Sequence, residues 1–113
     1  ALLHKTHTGD PTAVPAYTAL AMATRGSAEA LGIADRVGRI ETGMKADIAL
    51  LDFQQPHLFP RHDVISHLVY AARAGDVRTV FINGRPVMLD RKLLTIDEEE
   101  VYGQVRDRLK RLV

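Results

Sequence analysis

The chain has 113 residues, of which 46% are hydrophobic and 26% are charged. This composition is typical of a folded globular protein and excludes a disordered one. Lysine and arginine number 15 against 14 acidic residues, so the net charge is only +1. That balance gives no electrostatic reason to expect nucleic acid or an anionic membrane as a partner.

The chain contains no cysteine, which excludes disulfides, thiolate nucleophiles and cysteine-ligated zinc. No apolar run approaches the roughly 20 residues that a membrane-spanning helix needs. No signal peptide or basic transit segment is visible either. We therefore expect a cytoplasmic protein that has no membrane partner.

The first residues, 1–5, are typical of the last turn of a helix whose beginning is missing, because no capping residue precedes Leu2 and Leu3. A processed or trimmed start is the alternative. The turn residues 9–12 then predict a helix from about Val14 or Pro15 to Thr24, since proline is tolerated in a first helical turn.

A glycine and a serine predict an interruption of this alanine-rich helix. Gly26 breaks the run, and Ser27 can cap a short second helix over residues 28–31. Gly32 can end that helix in a left-handed conformation. The pattern suits helices outside a sheet or barrel, and an ordinary helical hairpin fits it equally well.

The middle of the chain predicts a strand, a loop and a short helix. Two glycines punctuate a turn-rich connection over 37–47, and the apolar run 48–53 predicts a strand buried on both faces or nearly so. Residues 54–63 contain two prolines and two histidines and predict a loop. The apolar residues of 64–74 have helical spacing and predict a short helix, although the valines also permit a strand.

The last third of the chain predicts a hairpin and a helix. Residues 77–89 form the hairpin, because the dipeptide Asn83–Gly84 supplies the positive φ angles of a type I′ turn. Pro86 cannot donate a ladder hydrogen bond, so it belongs at an edge. Asp97 caps an amphipathic helix over 98–112, whose basic residues suit a solvated face.

The five histidines offer weak candidates for a metal site. His4 and His7 can share one helix face, but no third ligand has a suitable local spacing, so structural or surface roles are favoured. His57, His62 and His67 flank the proline loop, and any of them could line a cleft. Separations of five residues nevertheless fit no standard ligand pattern.

Two further local features, a glycine-rich segment and a pair of serines, fail to make a self-sufficient active site. Gly38 to Lys45 has the glycines of a phosphate loop but lacks its lysine spacing, its hydroxyl residue and the helix that should follow. Ser27 and Ser66 have no nucleophile-elbow context.

Two acids, Asp47 and Asp52, bracket the predicted strand. A carboxylate pair can do acid–base work. Acids at strand ends more often accept hydrogen bonds from nearby backbone donors, so we favour a structural role for both.

Three segments in order resemble the amidohydrolase superfamily. Residues 23–32 resemble the alanine-rich helix pair near the end of its barrel. Residues 38–52 resemble its segment G-x-I-x-x-G-x-x-A-D followed by a hydrophobic run and an acid. Residues 77–87 resemble its closing hairpin. Residues 2–5, 9–13 and 67–71 are similar to the deaminase and chlorohydrolase branch, especially to S-adenosylhomocysteine and methylthioadenosine deaminases.

The resemblance implies an α/β fold, namely the C-terminal fragment of a (β/α)8 barrel hydrolase with part of its composite β-sandwich. Residues 1–36 would be late barrel helices. Residues 37–96 would be the return segment and the sandwich, and residues 97–113 the terminal helix.

The resemblance also implies a metal-dependent hydrolase that deaminates a purine nucleoside or a related N-heterocycle. Its zinc or iron would activate a water. The ligands would lie upstream of Ala1, so no catalytic or metal residue is assigned here and the substrate-binding residues stay unknown. His4, Lys5 and His67 match family positions that are not metal ligands.

The expected partners are the upstream barrel, a second copy in a homo-oligomer and a small-molecule substrate. By itself the chain would be inactive. Two alternatives remain open at this point: a non-catalytic binding or oligomerisation module, and a stand-alone metal protein that uses His4 and His7.

Overall fold

The computed structural model describes residues 1–112, which form helices and a four-stranded antiparallel sheet. The helices and strands are α1 (Leu2–Thr8), α2 (Ala16–Ala21), a π-helical turn (Met22–Gly26), α3 (Ser27–Ala30), β1 (Ile48–Leu51), α4 (Val64–Tyr70), β2 (Val77–Ile82), β3 (Arg85–Leu89), β4 (Lys92–Leu93) and α5 (Glu98–Leu109), with 3₁₀ turns at Pro56–Leu58 and Ala74–Asp76. No helix within residues 1–112 is both long and apolar enough to cross a membrane.

The helical segment from α2 to α3 is continuous, so the predicted interruption at Gly26 is wrong. Gly26 has helical φ and ψ angles of −64° and −38°. A Cβ atom there would lie 3.3 Å from the carbonyl oxygen of Ala21, so glycine suits the wider π-helical turn. The hydroxyl of Ser27 donates backward to the Met22 carbonyl at 2.8 Å instead of capping a new helix. The predicted left-handed end at Gly32 is confirmed by its φ of 68°.

The hairpin of β2 and β3 is confirmed. Asn83 and Gly84 have φ angles of 51° and 76°, as a type I′ turn requires. Pro86 pairs with Phe81 of β2. Strand β4 pairs only with the last two residues of β3, so Pro86 lies on an open stretch of edge, as predicted.

Strand β1 begins at Ile48 as predicted but ends at Leu51, two residues before the predicted end, and within residues 1–112 it is not buried on both faces. It pairs with β2 along one edge, and no other strand within residues 1–112 pairs with its second edge. Leu50 is 50% exposed, because nothing in the described chain covers its side of the sheet.

The segment after the proline loop is a helix, which settles the open choice between helix and strand. Asp63 caps α4, since its Oδ1 accepts from the Ile65 backbone at 2.9 Å and its Oδ2 from the Ser66 hydroxyl at 2.8 Å. Helix α4 packs against α2.

The predicted terminal helix begins where expected and is shorter than predicted. The Asp97 carboxylate accepts from the Glu100 backbone at 3.2 Å, which caps α5. The helix ends at Leu109, and residues 110–112 form turns.

The described chain has far more surface than a self-contained domain of its size. Its accessible surface is 8920 Å², whereas a monomer of this mass exposes about 6,200 Å². Its radius of gyration is 18.2 Å, against about 13 Å for a compact domain of this length. The buried hydrophobic residues in the described part are Ala28, which is 4% exposed, and Leu58, which is 0% exposed. These residues therefore do not enclose a core of their own.

Candidate functional site

A buried carboxylate, Asp76, joins the loop after β1 to the start of β2. Asp76 is 4% exposed. Its Oδ2 lies 2.8 Å from Nε2 of His57 and accepts from the Arg73 backbone N–H at 2.7 Å. Its backbone carbonyl accepts from the Asp52 N–H at 2.7 Å. Through its side chain and its backbone carbonyl, Asp76 thus connects three chain segments, and we call this cluster the His57–Asp76 junction.

The electrostatics of this junction fix its protonation state. The hydrogen bond from His57 lowers the pKa of Asp76 most, the Arg73 N–H lowers it further, and burial opposes both. Asp76 is therefore ionised at neutral pH and can only accept hydrogen bonds, so Nε2 of His57 carries the proton that it donates. No local sequence pattern could reveal this pair, because the two residues are 19 positions apart.

The junction predicts acid-sensitive stability. The folded pKa of Asp76 is lower than its unfolded value, so its contribution to stability is complete above the unfolded pKa and is lost as pH falls through the folded pKa. We expect Asp76→Asn to lower the Tm of the full-length protein at neutral pH and to flatten its decline in acid.

The control for this prediction is Asp10→Asn. The pKa of Asp10 is also lowered, chiefly by the side chain of Thr12, but Asp10 is exposed and bonds only within its own turn. Thermal melts between neutral and acidic pH measure how the Tm of each variant changes with pH. A Tm that declines equally with pH in wild type and Asp76→Asn would contradict the assignment.

Asp47 anchors the hairpin turn to the beginning of β1. Its Oδ1 accepts from the Asn83 N–H at 2.6 Å. The Gly84 N–H donates to the Ala46 carbonyl at 3.0 Å beside it. The acid of the A-D motif thus holds two distant segments in register.

Asp52 is engaged at the other end of β1. It accepts from the Gln54 N–H at 2.9 Å and from Nε2 of Gln55 at 2.8 Å, and Nη2 of Arg91 lies 3.4 Å away. These contacts, the Gln54 N–H foremost, lower its pKa. Since Asp47 and Asp52 bond at opposite ends of the strand, the structure does not bring them together as an acid–base pair.

The other histidines remain apart. His4 and His7 are exposed on α1, and His62 is exposed in the loop. Nδ1 of His67 lies 2.7 Å from the Asp63 carbonyl within α4. Within residues 1–112 no three His, Asp or Glu side chains come close enough to hold a metal ion. The described residues thus include no cluster that fits a metal centre.

The glycine-rich segment packs against a helix instead of forming a phosphate loop. Gly38 has a φ of 96°, and a Cβ atom there would lie 2.9 Å from Cβ of Ala28 and 3.0 Å from Cα of Arg25. The Lys45 N–H donates to the Arg36 carbonyl at 2.8 Å, and the chain then enters β1.

The two candidate serine hydroxyls are both occupied by local contacts. Ser27 donates to the Met22 carbonyl, and Ser66 donates to the Asp63 carboxylate. The described geometry therefore supplies anchoring contacts and does not assemble a nucleophile with a base.

Similar proteins are deaminases and related hydrolases. The chain is 55% identical over 99% of its length to a 5-methylthioadenosine/S-adenosylhomocysteine deaminase of Pelotomaculum thermopropionicum, and covers 26% of that protein. It is 46% identical over its full length to a 5′-deoxyadenosine deaminase of Methanosarcina acetivorans, again covering 26%. The chain thus spans about a quarter of the length of these relatives.

Solved structures agree with these relatives. An adenosine deaminase from Xanthomonas campestris with bound zinc matches 97% of this chain with a TM-score of 0.92 and 38% identity, and the match covers 25% of that protein. An atrazine chlorohydrolase from Arthrobacter aurescens complexed with zinc matches 88% with a TM-score of 0.76 and 29% identity, and the match covers 23% of it.

The sequence profile of the Amidohydrolase family matches residues 1–87, more than half of the chain. The resemblance to the deaminase and chlorohydrolase branch is confirmed by the relatives and structures together. The chain belongs to the amidohydrolase family.

Proposed function

We propose that this chain is the C-terminal quarter of a deaminase. The enzyme would remove the amino group of an adenosine-type nucleoside by hydrolysis of its C–N bond and release it as ammonia. The observation that carries the proposal is the 55% identity to a methylthioadenosine/S-adenosylhomocysteine deaminase over nearly the whole chain. The match to a zinc-bound adenosine deaminase at a TM-score of 0.92 supports the same reaction class.

We propose that the chain completes a barrel and a composite sandwich. Residues 1–36 would be late helices of a (β/α)8 barrel, residues 37–96 would complete the sandwich, and residues 97–113 would lie at its end. The excess surface supports this role, and so does the second edge of β1, which no strand within residues 1–112 pairs. Both features fit a segment that needs the rest of a larger protein to bury its apolar residues.

We propose that a divalent metal, zinc or iron, is held by residues outside this chain. Two similar structures contain zinc, and the residues described here do not fit a metal centre. What this chain contributes is support, because Asp47, Asp76 and Gly38 fix how its sheet and helices pack. We further propose that the full-length protein is cytoplasmic, acts on a small-molecule substrate and forms a homo-oligomer. We also propose that this chain alone is inactive.

The test is ammonia release by the full-length protein. Adenosine, 5′-deoxyadenosine, 5-methylthioadenosine and S-adenosylhomocysteine are the substrates, and guanosine is the control nucleoside. We expect one ammonia per nucleoside consumed, loss of the activity after chelation and its return with zinc or iron. Metal-loaded protein that releases no ammonia from any adenosine-type nucleoside would contradict the proposal.

A further inference from the structure

The chain contains a single asparagine, Asn83, and Gly84 follows it directly in the hairpin turn. Asparagine is a labile residue, because its side-chain amide can be attacked by the backbone nitrogen of the next residue. A glycine at that next position has no Cβ, so no side chain hinders the attacking nitrogen. The turn between β2 and β3 therefore carries both groups that an intramolecular reaction needs.

The reaction converts the asparagine into an acid with water as the co-reactant. The Gly84 nitrogen forms a bond to Cγ of Asn83, the bond from Cγ to Nδ2 breaks, and the Gly84 proton leaves with that nitrogen as ammonia. Water then opens the resulting succinimide ring. Opening at Cγ gives aspartate in an unchanged backbone, whereas opening at the backbone carbonyl gives isoaspartate, whose main chain is longer by one methylene group.

The conformation of Asn83 in the turn keeps the reacting atoms apart. Ring closure requires Cβ of Asn83 and the Gly84 nitrogen on the same side of the Asn83 Cα–C bond. Asn83 has a φ of 51°. This angle lies in the left-handed region, where ψ is about +30° to +60°, and at such a ψ the Cβ atom lies nearly opposite the nitrogen across that bond. The turn must therefore open before Asn83 can react.

Two hydrogen bonds from the beginning of β1 hold the turn in this conformation, and we call them the turn clamp. Oδ1 of Asp47 accepts from the Asn83 N–H at 2.6 Å. The Gly84 N–H donates to the Ala46 carbonyl at 3.0 Å, which occupies the proton that Gly84 has to lose. All of these atoms belong to residues 46–84, so the clamp does not depend on what covers the hairpin in the full-length protein.

We propose that Asn83–Gly84 is a self-modification site that the turn clamp keeps inactive, and that it converts to aspartate or isoaspartate when the turn separates from β1. The inference is independent of the proposed deaminase reaction. An isoaspartate lengthens the two-residue turn by one methylene group and so displaces the Gly84 N–H from the Ala46 carbonyl. The modification is therefore a lasting record that the turn has opened.

The rate of modification should follow the population of the open turn. Local openings have free energies between zero and that of global unfolding, and a slow reaction of the open form depends on its equilibrium population. Loss of a hydrogen bond to a charged acceptor should raise that population about tenfold. Asp47→Ala in the full-length protein should therefore deamidate at Asn83 about tenfold faster than wild type, at neutral pH and well below its Tm.

The matched control is Asp52→Ala, at the opposite end of β1. Asp52 also accepts hydrogen bonds, from the Gln54 N–H and the Gln55 side chain, and none of them involves the turn. This variant should deamidate at the wild-type rate. In denaturant all three proteins should deamidate at one common rate that exceeds the rate of native wild type, because the unfolded chain has no clamp.

Mass spectrometry of the peptide that contains residues 83 and 84 measures the conversion of amide to acid, and enzymatic methylation of isoaspartate distinguishes the two products. If Asp47→Ala does not fold, Asp47→Asn takes its place, because it keeps an oxygen acceptor and loses only the charge. Its rate should fall between those of native and unfolded wild type.

The proposal is overturned if native wild type deamidates as fast as it does in denaturant, or if the folded Asp47 variant deamidates no faster than wild type. An Asp52→Ala variant that deamidates as fast as Asp47→Ala would overturn it as well. Turnover of a nucleoside leaves the mass of this peptide unchanged, so these outcomes are separate from any failure of the proposed reaction.

Discussion

Replacing Gly38 with alanine in the full-length protein should lower the free energy of unfolding by about 4 kcal/mol, from positive-φ strain and overpacking together. Gly38 has a φ of 96°. An added Cβ would lie 2.9 Å from Cβ of Ala28, 3.0 Å from Cα of Arg25 and 3.3 Å from the Thr24 carbonyl. Two of these neighbours are backbone atoms of the helical segment, so the contact cannot be relieved by a side-chain rotation.

Gly43→Ala is the matched control for this prediction. Gly43 has a φ of 91° and nothing within 4 Å of an added Cβ, so alanine there meets only the conformational strain. We expect a loss of about 1–2 kcal/mol from that strain alone. Denaturant unfolding of both variants measures the difference.

A double-mutant cycle identifies the clash itself. Ala28→Gly removes the nearest atom, so it should recover part of the stability in the Gly38→Ala background while destabilising the wild type. The prediction is contradicted if Gly38→Ala and Gly43→Ala lower the free energy of unfolding equally, or if the double variant recovers no stability. Either result would show that the close approach of residue 38 to the helical segment does not affect stability.

The elements that were predictable from sequence are those that local chemistry specifies. Asn83 and Gly84 fix the hairpin, because few other dipeptides supply two positive φ angles at low cost. Asp90 and Arg91 make the next turn with φ angles of 48° and 66°. Aspartate tolerates a positive φ, but arginine is not a typical turn residue, so this pair is a weaker turn signal than Asn–Gly and β4 was missed.

The helix break at Gly26 was mispredicted because glycine has two opposite effects in a helix. Gly26 weakens a helix by its flexibility, yet it also leaves room for a wider turn against Ala21. The contact with that carbonyl, which sequence spacing does not reveal, favours the second effect. The Ser27 hydroxyl, which can cap a helix, instead satisfies a carbonyl that the π-helical turn leaves available.

The candidate site was less predictable, because its contacts join distant segments. The motif containing Asp47 could be recognised, but its partner Asn83 lies 36 residues away. The junction of His57 with Asp76 has no sequence pattern of its own, and Asp76 could be identified only as part of a turn. Chemistry that depends on residues outside the chain is likewise beyond what local patterns can assign.

The second large effect concerns the chain when it is expressed alone. The exposed apolar side chains lie on several elements, among them Leu50 on β1, Tyr17 on α2 and Val105 on α5. The described chain as a whole exposes about 2,700 Å² more surface than a self-contained domain of this mass would have. Burial of apolar area is the main force that stabilises a fold, so the isolated chain should have no cooperative native state.

We therefore expect residues 1–113 alone to unfold without a sharp transition in calorimetry, to bind a hydrophobic dye and to self-associate. Val105→Glu should not abolish this association, because the sheet and α2 remain exposed. Co-expression with the remainder of the protein should restore a cooperative melt, since the apolar faces would then be covered. A monomeric isolated chain that melts sharply would contradict the surface argument, and with it the proposal that the chain depends on a larger protein.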